Sequence, residues 1–312
     1  MTGEAGKRRR WLRPLGLFGA VLALSIARPL VVLGIPFALL AFLEREGRFA
    51  VLAASALILG LVFAGGSGAS GLWYLERGWA IVLGGSFAAV TLARPGVPFL
   101  ERGLTALGGT VLWTSIVVAA FGGWSALDAE VRARIDAGAA STLDLVAGMS
   151  GGESEGLLEA VERAVEAQHF LFPSLVALSS LAALGVVWWT HVRVQRGSSG
   201  GLGSIRAFTF PDAMIWLLIA GIILVIGVGG GEAWVRAGAN LLVFMAGLYA
   251  LRGAGVVLFV TGGLSVPALI LTAVAAILAP PVLLGGAMAV GIGDTWFDLR
   301  ERWTGSADPK NN

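Results

Sequence analysis

Apolar residues dominate positions 14–43, interrupted only by Arg28-Pro29, and further apolar runs occupy about 49–66, 78–93, 104–123, 170–192, 211–228, 234–251, 255–279 and 281–297. A helix needs about 20 apolar residues to cross a hydrocarbon core, so the later runs are of membrane-spanning or near-spanning length. The first run is too long for one span. Pro29 blocks helix continuation at the residues before it, and Arg28 is costly at a bilayer centre but cheap beside headgroups. Residues 14–43 therefore read as two short helices with Arg28 at the far face. Gly65-Gly66-Ser67-Gly68, Arg94-Pro95, residues 197–201 and Pro280-Pro281 punctuate the runs. Trp73, Trp79, Trp124, Trp188, Trp189, Trp216, Trp234 and Trp296 fall near run ends, as an interfacial aromatic belt requires. The pattern predicts an all-α, polytopic transmembrane helical bundle of about ten hydrophobic segments, with eight or nine also compatible.

Residues 124–169 break this pattern. Leu127, Val131 and Ile135 recur at four-residue spacing, and Leu157, Leu158, Val161, Ala164 and Val165 recur at helical spacing. The breaker Ser150-Gly151-Gly152-Glu153-Ser154 lies between them. Two or three short amphipathic helices over one membrane face are expected, serving either as a solvated cap or as a lid over a binding site. The organisation is then a basic N-terminus (1–13), a first half of transmembrane helices (14–123), the amphipathic segment (124–169), a second half (170–302) and a polar tail (303–312).

Charge assigns sides to this layout. The segment 124–169 holds nine acids against Arg132, Arg134 and Arg163, a net −6, so with +2 for the whole chain the remainder carries +8. Arg45 and Arg48, Arg94 and Arg102, Arg193, Arg196 and Arg206, and Arg252 all fall to the cytoplasmic side when 14–43 is two helices. Both termini are then inside and the acidic segment outside. The basic start (Lys7 to Arg13) has a twin-arginine look, but no cleavage site with a soluble domain follows, and it reads as a cytoplasmic anchor.

Composition agrees: of 312 residues 56% are hydrophobic and 13% charged, with a mean hydropathy of +0.82. Soluble domains carry nearer a quarter charged residues. There is no cysteine, which removes disulfides, thiolate metal sites and thiol nucleophiles. With His169 and His191 as the two histidines, a protein-bound zinc site is not expected. No nucleic-acid footprint is present. No phosphate-binding Gly-x-x-x-x-Gly-Lys loop, Gly-x-Ser-x-Gly elbow or His-Glu-x-x-His motif occurs, so neither enzymatic activity nor a cofactor is expected.

Polar residues inside the runs are the better clues, because lipid makes them costly. Asn240 and Tyr249 share the run 234–251 and are candidate ligand contacts, with interhelical glue the alternative reading of Asn240. His191, beside Trp188 and Trp189, reads as an interfacial side chain. Charges within the runs are few, so no ion or proton pathway is visible. Gly16, Ala20, Ala23 and Ala27 put small residues at four-residue spacings on the first helix, a groove where a partner helix can sit close.

Two stretches carry a resemblance. Phe208-Thr209-Phe210-Pro211-Asp212 opens a helix ahead of Trp216, and Gly291, Asp294, Phe297, Asp298 and Arg300 form a Gly-x-x-Asp-x-x-Phe-Asp-x-Arg close. With Asn240, and with Gly34-Ile35-Pro36-Phe37 nearer the start, these residues resemble the DUF2232 or YybS-like family of uncharacterised bacterial membrane proteins. More remotely, that family is similar to the substrate-binding S components of energy-coupling factor vitamin transporters. The resemblance implies a multi-pass protein of the bacterial inner membrane that captures a vitamin-like molecule from outside. ATPase and transmembrane coupling subunits would be its partners, docked on the small-residue face of the first helix. A non-transporting scaffold in envelope maintenance or stress response is the competing expectation. No substrate is named by the residues.

Overall fold

The computed structural model of the protein describes residues 16–24, 28–44, 48–63, 71–121, 123–150, 155–196, 202, 204–227 and 231–306. Among these residues the regular structure is helical, without strands. The chain forms two compact units, Met1–Leu202 and Gly203–Asn312.

The first unit contains α1 (16–24), α2 (Pro29–Glu44), α3 (Arg48–Phe63), α4 (Gly71–Ala93), α5 (Phe99–Phe121), α6 (Gly123–Ser150) and α7 (Glu155–Arg196). α2 starts at Pro29, a position where the missing N–H costs nothing, and the amides of Val31 and Val32 both reach the Arg28 carbonyl. Helix α2 is the centre of this unit. One face packs Val31 and Ile35 against Ala80 of α4, with Leu61 and Val62 of α3 beside them. Another packs Val32 against Val21 of α1 and Ala182 and Ala183 of α7.

Residues 124–169 differ from the expectation of separate short helices. They form α6, 28 residues long, and the leading turns of α7, which continues unbroken for 42 residues to Arg196. Polarity changes along α7, but nothing between Glu155 and Phe172 stops a helix, and Pro173 is carried inside it. The stripe on α6 is where the spacing puts it: Val131 and Ile135 are buried.

The second unit has two single turns, Ile205–Ala207 and Asp212–Met214, then α8 (Ile215–Ile226), α9 (Glu232–Val260), α10 (Val266–Leu278), α11 (Pro280–Phe297) and α12 (Leu299–Ser306). α9 lies between α8 and α11. It runs straight through the boundary expected near residues 251–255. Arg252 is a good helix former and is no loop residue here. The break comes at Gly262 and Gly263, both at positive φ, and Ser265, whose hydroxyl accepts the Ala268 amide, starts α10.

Ten described helices, α1 to α5 and α7 to α11, account for the ten expected apolar segments, but five of them have 16 residues or fewer. Phe99–Phe121, Leu158–Val194 and Glu232–Val260 are long and apolar enough to cross a membrane. The α10–α11 pair, bent by 117° at Ala279, is a fourth candidate as a broken span or re-entrant loop. Pro29–Phe42, Val51–Phe63 and Asp212–Ile226 are shorter apolar helices.

Candidate functional site

The closest helix crossing in the second unit is that of α9 with α11. A Cβ at Gly253 would lie 1.8 Å from the Ala287 carbonyl oxygen, and one at Gly291 would lie 2.1 Å from the Tyr249 carbonyl oxygen. Only glycine lets the two backbones touch here. That contact sets the side chains on either side of it. Arg252 adjoins Gly253, and Asp294 lies one turn beyond Gly291. Arg252 Nε donates to Asp294 Oδ2 at 2.9 Å, and both residues are buried.

Two further stretches of chain close on this pair. Arg252 Nη1 donates to Asp212 Oδ1 at 3.0 Å, and its guanidinium lies 5.4 Å from the Phe210 ring centroid. Phe210 meets the fully buried Tyr249 edge-on, with centroids 5.0 Å apart. Asp298 adopts φ 45°, a left-handed bend that ends α11 and starts α12. The bend returns Arg300 to the cluster, where its Nη2 donates to the Phe208 carbonyl at 3.0 Å and to the Arg252 carbonyl at 3.3 Å. Its Nε stands 3.9 Å from Asp294 Oδ2. Two arginines and two aspartates thus balance, with their donors turned to carboxylates and backbone carbonyls.

Of the residues singled out by the sequence, Phe208, Gly291, Asp294 and Arg300 converge here, and Pro211 sets the turn that presents Asp212. Phe297 is exposed. Asn240 and Tyr249 are not brought together. Nine residues apart on one α-helix is two and a half turns, which places them on opposite faces about 13 Å apart along the axis. Asn240 is buried and its Nδ2 donates to the Arg236 carbonyl of its own helix.

Arg252 and Asp212 are the members that sequence reasoning missed. The signal is present: Arg252 is a charged residue inside an otherwise apolar, Gly-rich stretch, and Asp294 is the sole acid between 281 and 297. An arginine at such a place requires a counter-ion. Arg252, expected in a loop, is instead buried inside α9.

The first unit holds a second buried set on α4. Glu76 pairs with Arg134 of α6 and lies 4.0 Å from Arg77. Arg77 Nε donates to the Val62 carbonyl at 2.8 Å, and its guanidinium stacks 3.8 Å from the Trp73 ring centroid. Glu130 of α6 accepts the amides of Gly71, at 3.1 Å, and Leu72, placing an anion on the positive end of α4. His169 Nε2 of α7 lies 3.0 Å from Asp128 Oδ2 of α6. Arg134 and Glu130 thus fasten α6 to α4, and the His169–Asp128 contact joins α7 to α6.

Arg102 is buried in the first turn of α5. It bonds the Pro95 and Val97 carbonyls at 3.2 and 2.9 Å and lies 4.4 Å from the Trp188 ring centroid. His191 stacks on the same tryptophan at 5.8 Å and is buried.

On α1 the small-residue face divides. Ala20 packs against the core around Val21, whereas Gly16 and Ala23 are exposed. Ala27 lies outside the described residues. Among the described residues no group of three His, Cys, Asp or Glu side chains is arranged to hold a metal ion.

A family model described as "Predicted membrane protein (DUF2232)" matches residues 15–295, running through the acidic segment as well as both sets of apolar helices. No curated protein and no solved structure matches the chain.

Proposed function

We propose that this chain, which belongs to the DUF2232 family of predicted membrane proteins, is a non-catalytic membrane subunit that captures a small molecule and works through separate ATPase and transmembrane coupling subunits. Its place in this reading is the bacterial cytoplasmic membrane, with both termini inside and α6 outside.

The observation that carries the reading is the uncovered part of α1. Leu17, Ala20 and Val21 hold that helix to its own unit, so Gly16 and Ala23 are left over from internal packing. No described heavy atom would come within 4 Å of a Cβ at Gly16 or Gly19. Small residues on an exposed helix face admit a partner backbone closely, which is how helices associate in lipid.

The scaffold alternative draws on a different observation. Asn240 and Tyr249 are buried on opposite faces of α9, so they do not line one ligand cavity. Binding of whatever small molecule copurifies separates the two: Asn240→Leu weakens it if Asn240 touches a ligand and leaves it unchanged if that side chain is packing glue.

Docking is tested by Ala23→Leu, which fills the α1 groove with three carbons. The expected result is a folded, monodisperse protein that loses its partner subunits in mild-detergent pull-downs read by mass spectrometry. Retention of the same ATPase subunits by the variant would refute docking at this face.

A further inference from the structure

We propose that the groove bounded by Arg206, Ala207, Thr209, Phe259 and Arg300 seats the phosphate of an anionic phospholipid headgroup. The groove has a volume of about 550 Å³ and opens at the end of the second unit where α9 finishes.

Charge is the first argument. Arg206 and Arg300 line the groove, and Arg252 joins Arg300 beside Asp212 and Asp294. Arg252 and Arg300 are held by the aspartates. Arg206 has no carboxylate partner among the described residues. Its backbone amide donates to Ser204 Oγ at 3.3 Å, which fixes the turn, and its Nη2 donates to the Gly262 carbonyl. A guanidinium has five N–H donors, so anchoring one of them leaves the planar fork oriented and the rest available. A held but uncompensated arginine suits a tetrahedral phosphate, which it can grip through two parallel hydrogen bonds.

The rest of the lining argues for a lipid and not a free anion. Phe259 and Ala207 give the groove an apolar wall, and the Thr209 hydroxyl adds a neutral donor. Such a wall favours a ligand with a hydrocarbon part. Trp303 of α12 and Trp296 near the end of α11 are both exposed close in sequence to Arg300, and exposed tryptophans at helix ends belong at headgroup depth. Basic pockets between helices at that depth are recognised sites for acidic headgroups.

The full chain in phosphatidylcholine nanodiscs, with and without phosphatidylglycerol, provides the test, read as thermal midpoint and as lipid retained in native mass spectrometry. Phosphatidylglycerol is expected to raise the midpoint and to be retained over phosphatidylcholine. Arg206→Gln should weaken that retention about fivefold, near the value of one basic residue at a membrane surface. Arg94→Gln, at an exposed arginine of the first unit, should leave it unchanged. Thr209→Asp, which sets a negative charge in the groove at an exposed position, provides a second variant with the same expected loss. Equal retention of both lipids by the unaltered protein, or undiminished phosphatidylglycerol preference in Arg206→Gln and Thr209→Asp, overturns the proposal. Equal stabilisation by inorganic phosphate in neutral detergent overturns the lipid as the source.

Discussion

Arg252 and Gly253 are neighbours with opposite requirements. Gly253 needs α11 at backbone contact, and Arg252 needs the carboxylate that α11 then delivers. A buried ion pair adds little net stability, because desolvation offsets most of its attraction, but removing one partner strands a charge and costs about 3–5 kcal/mol. Arg252→Met should therefore destabilise the protein strongly by taking from buried Asp294 its close donor at 2.9 Å and leaving it Arg300 at 3.9 Å. Adding Asp294→Leu should restore much of the loss, and a double-mutant cycle on unfolding in detergent measures the recovery. A double variant no more stable than Arg252→Met would show that the pair is not coupled. The glycines admit no such rescue. Gly291→Ala drives a methyl into the Tyr249 carbonyl, so the helices must part. Overpacking of this kind costs about 1–3 kcal/mol, with the upper end expected because a backbone atom is in the way. A lowered midpoint and loss of monodispersity would report it.

The helices themselves show what the sequence pattern makes legible. Boundaries are legible where the backbone forces them, as at Pro29 and Pro280, which open α2 and α11. They are misplaced where charge stands in for a backbone break. Arg252 looks like a loop only while its counter-ions, 40 and 42 residues away in sequence, are unseen. The Gly-x-x-Asp spacing of Gly291 and Asp294 marks the α11 half of the crossing, but its α9 half needs pairing information that periodicity does not contain. α6 makes the same point. Its apolar stripe is plain, whereas the use of Glu130 as a cap for α4, across 59 positions of chain, is not. That cap is open to experiment. Glu130→Ala removes an anion from a helix N-terminus, a loss of about 1 kcal/mol. Amide exchange should quicken at Gly71 and Leu72 while the middle of α4 is unaffected. Unchanged exchange at both amides would remove Glu130 from the role.

For the molecule as a whole the question is which ends share a side of the membrane. Within the second unit the Arg206 side chain bonds the Gly262 carbonyl, so the turn before α8 and the loop after α9 lie at one end. α8 and α9 are therefore an out-and-back pair, although α8, at 12 residues, rises only about 18 Å. Leu158–Val194 of α7 is long and apolar enough to cross a membrane. The proposed topology puts α6 outside and the Thr261 loop inside. The acids of α6 and early α7 agree with a watery face: Asp128 and Glu130 are used in contacts, while Asp136, Asp144, Glu159, Glu162 and Glu166 are exposed. Arg193 and Arg196 fall at the C-terminal end of α7, where the proposed topology needs cytoplasmic residues. The absence of native cysteine makes this directly measurable. A single cysteine at the exposed Ser141 should react with a membrane-impermeant maleimide in intact cells, with the outer membrane opened where there is one. A cysteine at the exposed Thr261 should react only after the inner membrane is opened. Labelling of both in intact cells would mean that α7 does not cross, and labelling in the reverse order would invert the proposed topology.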